Sequence, residues 1–141
     1  MLELLADFAG SGKLGPIQLE MAPHHVRDWL GEPWLEGPHK RFLIWNYGAL
    51  EVTFQKGEIF DWEVGLIRIG YDRDDLRLPD RFPPLEPVSL FDFCAELGAR
   101  AVGIETTRPA ESGEVRLRIP RSGVSAIFAP TLRWIGVTAD A

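Results

Sequence analysis

The feature that most constrains this chain is a pair of alternating apolar runs, each returning through a short turn. Leu50-x-Val52-x-Phe54 leads through Gln55-Lys56-Gly57 to Phe60-x-Trp62-x-Val64, and Val124-x-Ala126-x-Phe128 leads through Ala129-Pro130-Thr131 to Leu132-x-Trp134. Side chains alternate faces along a strand, so each run predicts a half-buried antiparallel hairpin, with Glu51, Thr53, Gln55, Asp61 and Glu63 on the outer face of the first. The spacing Phe54-x5-Phe60-x-Trp62 is echoed by Phe128-x3-Leu132-x-Trp134. The second turn is shorter by an even number of residues, which preserves parity, so the expectation is a duplicated scaffold with both tryptophans in the core.

Helical spacing flanks these strands. Leu2, Leu4, Leu5, Phe8 and Ala9 fit a short helix closed by Gly10, and a second helix starts at Pro23, buries Val26, Trp29 and Leu30, and stops at Gly31-Glu32-Pro33. Ser89 as N-cap, Asp92 three residues on, and Val88 against Phe93 announce a third helix that buries Leu90, Phe93, Cys94 and Leu97 and ends at Gly98. Arg41–Tyr47, Ala101–Thr107 and Val115–Ile119 read as strands, Pro109–Gly113 as a loop, and Gly65 marks a bulge or bend. Four prolines between Tyr71 and Pro87 mark a connection. The expectation is a single α+β domain over 1–141, an antiparallel sheet with helices on one face. It has two degenerate helix-plus-meander halves, 1–70 and 89–141, joined by 71–88.

Charge and composition then remove whole classes of function. The formal net charge is -6 and the pI about 5.0, with six Lys/Arg against ten Asp/Glu in residues 1–70 and nine against eleven in 71–141. Neither half is a basic domain, so no nucleic-acid partner is expected. No stretch approaches the roughly 20 apolar residues that span a bilayer, and the acidic start Met1–Phe8 lacks the basic residues of a signal peptide. A cytoplasmic location without membrane contact is the expectation. The single cysteine, Cys94, excludes an internal disulfide and any multi-cysteine metal site.

No catalytic constellation emerges. Gly10-Ser11-Gly12-Lys13 lacks the first glycine of a phosphate loop and has Leu14 where Ser or Thr would hold magnesium. His24 and His25 lie about 100° apart on a helix and cannot share one metal; His24 with Asp28, joined by His39, is the nearest approach to a ligand set, and no metal or other cofactor is expected. Cys94 sits on an apolar helical stripe, where desolvation suppresses the thiolate. Asp61 and Glu63, with Glu51 on the neighbouring strand, could act as acid and base, although such carboxylates more often form the wet face of a sheet. Aligned by the repeat, Asp61 corresponds to Arg133, Glu63 to Ile135, Glu51 to Ser125 and Thr53 to Ile127, so one half presents an acidic strip and the other a basic and apolar one. Exposed Ile127 and Ile135 would call for a covering partner, unless the strand is buried on both sides. The candidate partner-binding residues are Glu51, Thr53, Asp61, Glu63, Arg116, Arg118, Ile127, Arg133 and Ile135.

Residues 15–33, GPIQLEMAPHHVRDWLGEP, followed by Trp45-Asn46-Tyr47-Gly48, resemble the pattern G-x-I-x-L-G-M-x-x-x-x-V-R-x-L-L-G-x-P plus W-x-Y-G. That pattern occurs in small bacterial α+β domains such as the BamE-like assembly lipoproteins and the beta-lactamase-inhibitor-like proteins, and is similar to that of immunity partners of secreted toxins. Glu20 departs from it, standing where the pattern has Gly. The resemblance implies a binding scaffold without catalysis. The leading expectation is therefore a non-enzymatic protein-binding module of immunity or inhibitor type, with a partner such as a secreted toxin domain on its sheet face. The competing readings are a small-ligand-binding or hydrolytic enzyme using the carboxylates with His24 or His39, and a structural homodimer.

Overall fold

In the computed structural model, which describes residues 1–58, 61–107 and 113–139, the chain forms an α+β fold dominated by one sheet. Helices α1 (Leu2–Ser11) and α2 (Pro23–Leu30) come first, then strands β1 (Leu35–Pro38), β2 (Phe42–Tyr47), β3 (Leu50–Gln55) and β4 (Glu63–Gly70). Helix α3 (Leu90–Ala99) follows, then β5 (Glu105–Thr107), β6 (Val115–Ile119), β7 (Val124–Phe128) and β8 (Leu132–Thr138). All eight strands pair antiparallel in the order β1-β2-β3-β4-β8-β7-β6-β5, so two four-stranded meanders meet through their last strands. Phe60 and most of the Pro109–Gly113 loop fall outside the described residues.

One hydrophobic cluster lies between the helices and a single face of the sheet. Trp45, Val52, Phe54, Val64, Ile67 and Ile69 enter it from one meander, and Leu117, Val124, Ala126, Phe128, Leu132, Ile135 and Val137 from the other. Every buried helix side chain, from Leu5 and Phe8 through Val26 to Phe93 and Leu97, belongs to the same cluster. Fully burying an aromatic or aliphatic side chain of this size stabilises by about 1.5–3 kcal/mol. Aromatic edges add to this: Trp45 meets Phe54 edge-on at 4.7 Å, and Phe93 lies 5.4 Å from Phe128.

The helix boundaries follow local chemistry. Helix α1 runs through Gly10 to Ser11, beyond the expected stop, and is closed by Gly12 in the left-handed conformation (φ 74°), whose amide donates to the Phe8 carbonyl. The Gly10–Lys13 segment is thus the carbonyl end of a helix, which repels anions. Proline opens α2 and Gly31 ends it, as the sequence predicts. Ser89 caps α3 by accepting from the Asp92 amide at 3.1 Å.

Elsewhere the structure corrects the sequence. Strand β1, with a glycine and a proline in four residues, falls where the sequence predicts no element. The strand expected from Ala101 begins only at Glu105, after Ala101 itself takes a left-handed conformation (φ 57°). The connection 71–88 is irregular but not detached, since Phe82 and Val88 are buried in the core.

The largest correction concerns parity. Thr53 pairs with Leu66 and Phe54 with Val64, which leaves Gly65 as an extra residue; Ile127 pairs with Trp134 and Phe128 with Leu132, which leaves Arg133 extra. Each bulge adds one residue, and one residue moves everything beyond it to the other face. Leu132 therefore points into the core and Trp134 away from it, while Ile135 is fully buried in the core rather than on a partner-binding surface. Trp62 is half-buried against the core ahead of β4, with Lys56 over its ring at 4.3 Å. By register the counterpart of Trp134 is Leu66, not Trp62.

Candidate functional site

The sheet face turned away from the helices carries the site. One register row crosses all eight strands on that face: Leu35, Asn46, Glu51, Arg68, Gly136, Ser125, Arg118 and Glu105. Its two ends differ in what lies over them.

Over β1–β4, the chain following β4 folds back onto the face. Arg73 donates to Glu51 Oε1 at 2.9 Å and to Asn46 Oδ1 at 2.6 Å, and Arg68 pairs with Asp72 at 2.8 Å. Arg77 stacks over Trp34 at 5.0 Å and pairs with Asp75 at 2.9 Å; that hydrogen bonding holds the Asp75 carboxyl below its usual range. The Arg77 carbonyl accepts from the Ala49 amide at 2.7 Å. Gly48 (φ 67°) permits this approach, since a Cβ there would sit 2.2 Å from that carbonyl oxygen. The resulting cleft of about 700 Å3 is lined by Trp34, by the pairs Arg68–Asp72 and Arg77–Asp75, by Arg73, which Glu51 holds, and by Asp74.

Over β6–β8 no described residue covers the face. Two adjoining hollows of about 460 and 240 Å3 share Arg118, Ser125 and Trp134 and form a trough. Ile127 forms its floor beside Trp134, its cross-strand partner, and Leu66 and Arg68 form the β4 wall. The Arg68 guanidinium lies 5.5 Å from the Trp134 ring. Arg116 and Arg118 stand two residues apart on β6, with side chains 57% and 54% exposed. Their contacts to Glu114 at 3.9 Å and Glu105 at 3.3 Å are longer than a charge-assisted hydrogen bond.

Of the sequence-predicted residues, the trough brings together Arg116, Arg118 and Ile127. Ile127 is on the open face but only 7% exposed, because Trp134 and Arg116 flank it across the strands. Glu51 and Thr53 lie at the covered end, where the Glu51 carboxylate is held by Arg73 and accepts from the Thr53 hydroxyl at 3.2 Å. Glu63 pairs in register with Gln55, four residues along β3 from Glu51, and its side chain lies against Gly57; Asp61 is exposed before β4 begins. The expected acidic strip does not form: four residues of strand put Glu51 and Glu63 about 13 Å apart. Arg133 is the exposed bulge residue and Ile135 is core.

The other sequence candidates stand apart from the trough. The His24 and His25 rings lie 4.0 Å apart on exposed α2, and among the described residues no three His, Cys, Asp or Glu side chains group as metal ligands. Cys94 is half-buried, and burial pushes its thiol up. Sequence reasoning missed Trp134, Leu66 and Arg68 as open-face residues. Gly65 signalled the bulge that turns Leu66 and Arg68 outward, whereas Arg133 carries no such compositional mark.

Neither a family model nor a curated protein matches this sequence. Among solved structures the chain is similar to a DUF4309 family protein, YjgB, from Bacillus subtilis subsp. subtilis str. 168, at 16% identity and a TM-score of 0.53, over 98% of this chain and 95% of that one. At that identity the likeness concerns the fold alone. Among the described residues no helix is long and apolar enough to cross a membrane.

Proposed function

We propose that this chain is a non-enzymatic protein-binding module, of the immunity or inhibitor type suggested by its resemblance to BamE-like and beta-lactamase-inhibitor-like domains. It acts in the cytoplasm on a protein partner such as a secreted toxin domain, docked on the open sheet face. The observation that carries this reading is the uneven covering of the sheet: one face is sealed by helices, while the other leaves Trp134 and three arginines in an open trough. Trp and Arg are the residue types that dominate binding energy at protein interfaces. We also read the two meanders as a duplicated and diverged scaffold, supported by bulge residues Gly65 and Arg133 at matching places beyond Phe54 and Phe128.

The test is affinity capture from cells of the source organism, using the wild type, Trp134→Ala, and a helix-side control, His24→Ala with His25→Ala. A protein retained by wild type and control but lost with Trp134→Ala supports the reading. A protein held equally by all three, or none held by any, contradicts it.

A further inference from the structure

We infer that the trough takes an extended acidic segment of a partner protein, with carboxylates at alternate positions and an apolar side chain beside Trp134. This rests on the sheet-face reading above and adds the chemistry of what docks there.

Charge is the first argument. The chain as a whole carries -6, yet among the described residues lining the two hollows there are three arginines, Arg68, Arg116 and Arg118, and no carboxylate. Asp72, Glu105 and Glu114 touch these arginines without lining the trough. A local basic patch on an acidic protein attracts an anionic segment and repels the same patch of a second copy docked face to face.

Spacing is the second argument. Arg116 and Arg118 occupy positions i and i+2 of one strand, on the same face and about 6.8 Å apart along it. Side chains at alternate positions of any extended peptide have that same repeat, so two carboxylates at i and i+2 of a partner strand match the two guanidinium groups one to one. Their long contacts to Glu105 and Glu114 leave them able to exchange those for shorter bonds to an incoming carboxylate. Arg68, by contrast, is held at 2.8 Å by Asp72 and packs toward Trp134, so it shapes the wall. Trp134 and Ile127 supply the apolar surface between the two sides, which a peptide side chain such as Leu would cover.

The experiment is an NMR titration of the full chain with a short alternating Glu-Thr peptide carrying one Leu, beside its Gln-for-Glu and Lys-for-Glu counterparts. The expected result is saturable shifts at the Trp134 indole N–H and the Arg116 and Arg118 Nε–H signals. Affinity should fall about tenfold for the Gln peptide and for Arg116→Gln with Arg118→Gln, and weaken with added salt. Both arginines are exposed, and amide dispersion in the same spectra verifies that the double variant is folded. Equal binding of the Gln or Lys peptide in the trough overturns the acidic class and leaves sheet-face docking standing. No saturable shift up to about 1 mM also overturns the acidic segment. Shifts confined to the helices overturn both.

Discussion

Tyr47 and Tyr71, the two tyrosines of the chain, each place a hydroxyl against a backbone carbonyl, Gly31 for Tyr47 and Glu86 for Tyr71. Burial foremost, with Glu32 beside Tyr47 and Glu86 beside Tyr71, pushes both from 10.0 up to about 12, while Arg27 pulls Tyr47 slightly back. Because the folded state favours the neutral phenol, this contribution is fully present below about pH 10 and is lost as pH rises towards 12. Absorbance near 295 nm should therefore show almost no tyrosinate at pH 10.5 in the folded protein and about three-quarters ionisation at that pH in denaturant. A second residue-scale expectation separates neighbours in β8. Ile135→Asp, which would merely loosen an interface if Ile135 were exposed, should cost more than about 4 kcal/mol and largely unfold the chain, because it buries a charge among apolar side chains. Exposed Arg133→Asp, two residues away, should stay within about 0.5 kcal/mol. Urea melts of the two variants check both.

Elements were legible where local chemistry marks them and not where pairing decides. Proline at the start of α2, Ser89 at the start of α3, and the alternation in β3 and β7 each carry a local physical signal, and each falls where the sequence predicts. Removing one such signal should cost its local worth: Ser89→Ala should lower stability by about 1 kcal/mol, a shift of about 3 °C in Tm by calorimetry. Strand β1 was illegible because Gly37 and Pro38 oppose strand structure, and its pairing with β2 outweighs them. The candidate site was half legible. Arg116, Arg118 and Ile127 follow from simple alternation in β6 and β7. Trp134 and Ile135 exchanged faces because an arginine bulge leaves no trace in composition, whereas the glycine at the equivalent place in β4 does.

At the scale of the molecule, the two bulges act together. They turn Leu66, Arg68 and Trp134 outward onto adjoining central strands, so the middle of the open face acquires an aromatic ring and a guanidinium that a regular register would have sent into the core. Residues 71–78 cover one end of that face, where Arg73 pairs with Glu51, Asp72 with Arg68 and Arg77 with Asp75, and no described residue covers the other end. The function proposed depends on that asymmetry. Hydroxyl-radical footprinting of the chain, alone and with a captured partner, tests it most directly, since it reads side-chain exposure one residue at a time. Loss of modification at Trp134 and Leu66, with exposed Phe91 of α3 and Trp29 of α2 unchanged, is the predicted result; protection of Phe91 or Trp29 with Trp134 still reactive would contradict it.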